Sequence, residues 1–468
     1  MTFSSLAFLF LFFPVTFLLY ALIRSHTARN TILAAASLVF YAFGEPVAVM
    51  IMLVSIVLNY LFGLGASGTK WDKPAVILAV LLNIGLLAAY KYTGFLVEIF
   101  DSVTGLAVPV PHIRLPIGIS FFTFQGLSYV VDVYRDKKNV QRSLFSVLLY
   151  ISFFPQLIAG PIVRYSDIAA QIREREFSLD RVCQGVCRFL FGLAKKVLIA
   201  NQMGLIADKA FSFAPGQLST AAAWIGAVCY TLQIFFDFCG YSDMAIGLGR
   251  IFGFDFRENF DYPLISGSIQ EFWRRWHISL STWFKEYVYI PLGGNRRGKA
   301  RTMLNKWIVF FLTGLWHGAS FTFILWGLWH GLWQMLETYQ IVPTKKKWFR
   351  IPGHIYTLLV VVLGFVLFRA DTLAQGFGVL GAMFAPSAGD AAASAEFFAL
   401  LTPAAILAFL FALLLSAPVF RVLRQKARAA GRIVAYDYAS YAGSLLLFAL
   451  SALSLVSSSY NPFIYFRF

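Results

Sequence analysis

Residues 3–23 read FSSLAFLFLFFPVTFLLYALI, an apolar run without a single charged residue. A helix that crosses a membrane needs about 20 mostly apolar residues, because the hydrocarbon layer is about 30 Å thick and each helical residue rises about 1.5 Å. The run meets this length, and it lacks the basic start and the small-residue cleavage site of a signal peptide. It therefore predicts a membrane-spanning helix.

The composition extends this prediction to all 468 residues. Hydrophobic residues make up 59% of the chain and charged residues 13%, whereas soluble proteins average about 45–50% and about 25%. This composition excludes a soluble protein and a disordered chain, and four Cys cannot supply a disulfide scaffold. The net charge of +16 comes from basic residues between apolar runs, so we expect membrane lipid and not nucleic acid as a partner.

We expect an all-α polytopic membrane protein with about 10–12 crossings and additional interfacial or re-entrant helices. The predicted spans after the first lie at about 31–43, 47–66, 74–100, 115–134, 144–163, 183–206, 219–252, 303–340, 355–384, 396–419 and 436–458. The chain 1–468 is predicted to be a single membrane domain, with N-terminal helices at 1–110, a motif core at 110–340 and C-terminal helices at 341–468.

The distribution of Lys and Arg predicts the sidedness of the chain. Basic residues face the cytoplasm in short loops, which predicts cytoplasmic loops at 68–73, 135–142, 345–350 and 421–432 and an N-terminus on the outer side. The aromatic C-terminal residues Phe463–Phe468 are expected at the outer interface, where they would offer a docking surface to a partner.

Ionisable residues inside apolar segments are costly and so indicate function. His317 lies in the run 303–340 between Gly314 and Gly318, and a neutral imidazole at that depth can act as a general base. His277 lies within a basic amphipathic segment and is expected near the cytoplasmic interface. On a straight helix His330 would lie about 20 Å from His317, which predicts at most a minor role at the outer mouth. That distance, and the lack of HExxH and CxxC patterns, predict no metal site.

Four stretches in order resemble signatures of the membrane-bound O-acyltransferase (MBOAT) family, in particular its bacterial branch of alginate O-acetylation proteins. They are FFPQLIAGPIVRY at 153–165, DFCGYSDMAIGLG at 237–249, SIQEFWRRWHISLSTWFKEYVYIPLGGNR at 268–296 and TGLWHGASFTFILWGLWHG at 313–331. The ending NPFIYFRF also resembles that branch, whereas Cys239 stands where a hydroxyl residue is expected.

The resemblance implies an O-acyltransferase of the bacterial cytoplasmic (inner) membrane, with a tunnel through the membrane. No bound cofactor is expected; acetyl-CoA or another acyl thioester on the cytoplasmic side is the implied co-substrate. The implied partners are an extracytoplasmic SGNH-type protein or a small acyl-carrying protein, and a polysaccharide acceptor such as alginate. By motif match, His317 corresponds to the family's essential histidine and His277 to the second one.

The expected mechanism follows from these residues. His317 would take the proton of the accepting hydroxyl, and His277 or backbone N–H groups would stabilise the oxyanion. Asp243 and His330 are candidates for a minor role. The candidate donor-binding residues are Arg274, Arg275, Lys285, Arg296 and Arg297, although the ordinary cytoplasmic Lys/Arg bias also explains them.

Two alternatives remain open. The first is transfer of D-alanine to teichoic acid, within the same family. The second is a proton-coupled transporter or flippase, for which Asp237 and Asp243 within an apolar segment are the argument.

Overall fold

The computed structural model describes residues 1–68, 70–110, 113–214 and 216–467. Thr69, within the predicted loop 68–73, and Phe468, the last residue of the predicted interface segment, lie outside the described residues. Within the described ranges the regular structure is helical, without a β-strand. This confirms the predicted all-α fold.

The chain divides into two compact units, Met1–Phe189 with Tyr241–Arg257 and Leu190–Gly240 with Glu258–Phe468. Two helices, Leu179–Ala194 and Thr220–Ile251, have residues in both. The predicted single domain with three parts stays a prediction.

In the first unit, the helix Ile119–Arg135 buries 13 of its 17 residues. It packs against Ala48–Gly65 and Asp72–Leu87, so it forms the core of this unit. The helices of the unit are Phe13–Leu22, His26–Ala42, Ala48–Gly65, Asp72–Leu87, Thr93–Thr104, Ile119–Arg135, Leu144–Ser152, Phe154–Leu157 and Tyr165–Arg173, with short π or 3-10 turns at Phe8–Phe12, Ala88–Tyr92 and Lys137–Asn139.

The second unit carries His277, His317 and His330. Its longer helices are Asn201–Ser212, Gly298–His317, Phe321–Thr338, Arg350–Arg369, Leu373–Phe384, Ala391–Phe398, Pro403–Leu415, Val419–Ala429 and Ile433–Ser457. Its short helices and π or 3-10 turns are Lys195–Ala200, Pro263–Ile265, Ile269–Arg275, Ile278–Phe284, Lys285–Tyr289, Lys347–Phe349 and Ile464–Arg467.

Several helices are long and apolar enough to cross a membrane. Five pass by length and composition within the described residues, and a bent pair makes a sixth if it counts as one span. The five are Ala48–Gly65, Asp72–Thr104, Thr220–Ile251, Lys347–Arg369 and Ile433–Ser457. The protein is therefore a membrane protein, and the figure of about 10–12 crossings stays a prediction.

The predicted straight helix through 303–340 is wrong, because the chain forms a hairpin there. One helix ends at His317, Gly318 is extended, and the Ser320 hydroxyl caps the next helix by accepting the N–H of Thr322 at 3.2 Å. The two helices pack closely at Gly314, where a Cβ would lie 2.4 Å from the carbonyl oxygen of Phe323. The hairpin places His317 at a helix end.

Candidate active site

His277 lies in a sharp turn between a short helix that ends at Arg275 and one that begins at Ile278. Its backbone is left-handed, with φ 45° and ψ 54°, which costs of order 1–3 kcal/mol for a residue other than glycine. The fully buried Asn259 holds the turn. Its carbonyl accepts the N–H of Ile278 at 2.9 Å, and its Oδ1 accepts the N–H and the hydroxyl of Ser279 at 3.1 and 2.8 Å.

The same Asn259 oxygen sets the tautomer of the His277 ring. Nδ1 of His277 lies 3.2 Å from Oδ1, and because that oxygen is an acceptor, Nδ1 carries the proton. Burial lowers the pKa of His277 to about 3, so the ring is neutral at physiological pH and Nε2 keeps its lone pair. His277 therefore presents a proton acceptor, and not an oxyanion donor, on its Nε2 side.

The Nε2 atom of His277 faces the hydroxyl of Tyr465, 3.3 Å away. Burial raises the pKa of Tyr465 well above its ordinary value, so the phenol is neutral and donates its proton to Nε2. The preceding residues Phe463 and Ile464 are also buried, with 8% and 6% exposure. The predicted docking surface at Phe463–Phe468 is therefore wrong for Phe463 and Ile464, because they lie inside the second unit.

His317 lies beside this pair. The ring centroids of His277 and His317 are 6.4 Å apart, and His317 is 7% exposed. Both histidines and Tyr465 line one cavity of about 10 Å³, close to the smallest that holds one water molecule. Its remaining walls are apolar and aromatic side chains: Ile234, Phe238, Trp276, Trp326, Phe365, Phe368 and Ile464. The structure therefore brings the two predicted catalytic histidines together around one small cavity that the Tyr465 hydroxyl also lines.

His330 does not lie about 20 Å from His317 as predicted. Because of the hairpin, Trp326 contacts both rings edge-on, with centroid distances of 5.0 Å to His317 and 5.2 Å to His330. His330 is fully buried and stacks on Phe272 at 6.1 Å. Within the described chain neither of its ring nitrogens has a hydrogen-bond partner. It contributes to aromatic packing behind the cavity and does not line it.

A larger pocket of about 310 Å³ lies in the same unit. Two predicted donor-binding residues, Arg274 and Lys285, line it. Lys306, which the sequence did not indicate, is a third cation there. Its other lining residues are Gln270, Trp273, Leu280, Ser281, Phe284, Tyr289, Val309, Phe310, Thr313 and Gln334. The indoles of Trp273, which lines this pocket, and Trp326, which lines the histidine cavity, are 5.8 Å apart. An aromatic wall therefore separates the two spaces.

The other predicted residues lie elsewhere. Arg275 pairs with Glu271 at 2.9 Å and with Asp261 at 3.6 Å. Arg296 and Arg297 are exposed and are not among the described residues of the pocket.

Asp243 lies in the first unit and pairs with Arg188 at 2.8 Å, so a minor catalytic role for it stays a prediction. Among the described residues no group of three or more His, Cys, Asp or Glu side chains could hold a metal ion.

One further residue supports the site and was not found from the sequence. The buried carboxylate of Glu337 accepts the backbone N–H groups of Ile269 and Gln270 at 2.5 and 2.9 Å. These are the first two N–H groups of the helix Ile269–Arg275, which a helix leaves without an internal partner. Glu337 thereby fixes the helix that leads into the His277 turn. In the sequence Glu337 is only an acidic residue at the end of an apolar run, and this pattern does not predict its contact with the helix Ile269–Arg275.

The sequence matches known proteins over its whole length. The profile of MBOAT, the membrane-bound O-acyltransferase family, matches residues 81–376. "Probable alginate O-acetylase AlgI" of Pseudomonas putida is 41% identical over 100% of both chains. "Peptidoglycan O-acetyltransferase" of Helicobacter pylori is 35% identical over 81% of this chain and 79% of its own. "Teichoic acid D-alanyltransferase" of Bacillus subtilis is 29% identical over 44% of this chain and 54% of its own.

Proposed function

The chain belongs to the membrane-bound O-acyltransferase family and is a membrane O-acyltransferase, and on this premise we propose that it is an acetyltransferase. The donor is acetyl-CoA, a thioester that reaches the enzyme from the cytoplasm. The acceptor is an extracytoplasmic polysaccharide, alginate or a similar polymer. The membrane is the bacterial inner membrane, since both the thioester pool and the exported polymer are within its reach.

The single observation that carries the proposal is the hydrogen bond from the Tyr465 hydroxyl to Nε2 of His277, beside His317. O-acyl transfer needs a hydroxyl, a base that takes its proton and a group that stabilises the oxyanion. A buried hydroxyl on a neutral imidazole meets the first two needs. His317, on the same cavity, is the group available for the third.

In the proposed step, the Tyr465 oxygen attacks the thioester carbonyl while its proton moves along the existing hydrogen bond to Nε2 of His277. A bond forms between the phenol oxygen and the acetyl carbon, and the carbon–sulfur bond breaks. The leaving thiolate takes the proton back from the imidazolium. His317 donates its ring N–H to the oxyanion, which revises its expected role as base.

The donor enters through the larger pocket. Its cations Arg274, Lys285 and Lys306 would bind the phosphates of coenzyme A, because hydrogen bonds from charged side chains to phosphate are stronger than those between neutral groups. The pocket of about 310 Å³ suits part of such a donor, whereas the histidine cavity of about 10 Å³ admits no acyl group until side chains move. The aromatic pair Trp273 and Trp326 is the barrier to be opened.

An extracytoplasmic partner, of the SGNH type or a small acyl-carrying protein, completes the proposal by taking the acetyl group from Tyr465 to the polymer. Acetyl transfer is favoured over D-alanyl transfer because the acetylase relatives match over 81–100% of this chain and the D-alanyltransferase over 44%. The transporter alternative is set aside because the family is one of O-acyltransferases.

The test uses purified protein in liposomes with radiolabelled acetyl-CoA, followed by peptide mapping of protein-bound label. Wild type is expected to become labelled at Tyr465, and Tyr465→Phe to remain unlabelled. Tyr438→Phe, at an exposed tyrosine on the helix Ile433–Ser457, is the matched control and should label normally. Equal labelling of Tyr465→Phe and wild type, or labelling by a D-alanyl thioester alone, would refute the proposal.

A further inference from the structure

Lys196 and Asp237 form an ion pair in the interior of the second unit. Nζ and Oδ1 are 2.8 Å apart, and the side chains are only 3% and 1% exposed. The desolvation of two charges buried this deeply is costly, and such a pair is weak evidence for stability. The proposed chemistry does not use it, so its place needs another explanation.

Two further hydrogen bonds of the pair go to the C-terminal segment, and a third goes to Asn201. Oδ2 of Asp237 accepts the backbone N–H of Ile464 at 2.8 Å. Nζ of Lys196 donates to the carbonyl oxygen of Pro462 and to Oδ1 of Asn201 at 2.7 Å. The pair therefore binds the backbone N–H of Ile464, which directly precedes Tyr465, and the backbone carbonyl of Pro462.

A second group of bonds fixes the residues before these. Nδ2 of Asn201 donates to the carbonyl oxygen of Tyr460 at 3.3 Å. The Tyr460 hydroxyl donates to Asp208 at 2.6 Å, and Asp208 pairs with Arg369 at 2.7 Å. The segment 458–463 is not helical, so polar side chains supply the hydrogen bonds that a helix would have supplied.

We propose that Lys196 and Asp237 are positioning residues, which bind the backbone at Pro462 and Ile464 and so hold the Tyr465 hydroxyl against His277. Tyr465 follows Ile464 directly, so fixing that N–H fixes the origin of the tyrosine side chain. A displacement of about 1 Å at a reacting group can cost about 100-fold in rate. This inference rests on the proposed function only for its effect on rate; the binding of the segment stands on the contacts alone.

Two double variants separate the hydrogen bonds from the charges. Lys196→Gln with Asp237→Asn is neutral but keeps groups that can bind Pro462 and Ile464. Lys196→Met with Asp237→Leu is neutral and of similar size, but cannot bind the backbone. Replacement of a buried pair by apolar residues is often tolerated by the fold, so both variants are compared in liposomes at matched abundance.

The first readout does not depend on activity. Carboxypeptidase treatment followed by intact mass should leave wild type and the Gln/Asn variant untrimmed at Tyr465, whereas the Met/Leu variant should be trimmed towards the helix end at Ser457. The second readout is acetyl transfer: kcat of the Met/Leu variant should fall at least tenfold with KM for acetyl-CoA unchanged, while the Gln/Asn variant keeps most of its activity.

Equal trimming of the two double variants would overturn the proposal, and so would equal kcat values. A Met/Leu variant that does not accumulate in the membrane, beside a normal Gln/Asn variant, would assign the pair to folding and also overturn it. Tyr465→Phe separates the positioning role of Lys196 and Asp237 from the acceptor role of Tyr465. Its C-terminal segment should resist carboxypeptidase whether or not the variant transfers acetyl groups. If it transfers normally, the acceptor assignment fails and the trimming result still decides the positioning role.

Discussion

Nε2 of His277 and the hydroxyl oxygen of Tyr465 lie 3.3 Å apart, although 188 residues separate the two in the chain. His317 reaches the same cavity from the end of a third segment. The candidate site is therefore assembled from a strained turn, a helix end and the C-terminal segment, and each can be perturbed separately.

Asn259→Asp should change the pH dependence of transfer. In wild type the pKa of His277 is lowered to about 3, so the lone pair on Nε2 persists from pH 8 down to pH 5. A carboxylate beside Nδ1–H stabilises the imidazolium and raises that pKa, so the variant should lose activity as the pH falls from 7 to 5. The measurement is acetyl transfer in liposomes from pH 5 to 8, with Ser279→Ala as control. Identical pH profiles for Asn259→Asp and wild type would contradict the role of His277 as the base.

Arg274→Ala and Lys306→Ala should each raise KM for acetyl-CoA about tenfold, because a hydrogen bond to a charged group is worth about 1.5–3 kcal/mol. Arg296→Ala is the matched control, since this exposed arginine is not among the described residues of the pocket. Steady-state kinetics over a range of acetyl-CoA concentrations checks this. Similar KM values for all three variants would show that acetyl-CoA does not bind in this pocket.

Gly314→Ala should destabilise the hairpin by about 1–3 kcal/mol, as overpacking does. The added Cβ would lie 2.4 Å from the Phe323 carbonyl, whereas a Cβ at Gly381 would meet nothing within 4 Å. Gly381→Ala is therefore the control and should be neutral or slightly stabilising. Thermal unfolding in detergent checks the difference, and equal melting temperatures would show that the two helices are not closely packed at Gly314.

The two histidines of the cavity could be predicted from the sequence, because ionisable residues in apolar surroundings stand out and because the motifs around them are specific. Tyr465 could not be predicted in this way. Its aromatic neighbours are equally typical of a membrane interface, and only the tertiary fold shows that the segment turns inward. Lys306 and Glu337 were missed for the same reason, since their contacts depend on how helices pack.

The fold class followed from composition, but the hairpin after His317 did not. Gly318 and Ser320 are both compatible with an apolar helix, so the apolar pattern of the sequence is not interrupted at these positions. The break depends on an extended glycine and a serine cap, two local features that an apolar pattern conceals. For that reason the sequence placed His330 far from His317, whereas one indole bridges the two rings.

The most direct test of the account is acetyl transfer by His317→Ala at matched membrane abundance, measured as label passed from acetyl-CoA to protein and polymer. The small apolar residue should leave the protein inserted. Because the loss of one oxyanion donor typically costs about 10²–10³-fold in rate, transfer should collapse by at least 100-fold while acetyl-CoA binding is kept. A His317→Ala protein that transfers acetyl groups at a rate near that of wild type would contradict the assignment of this cavity as the active site.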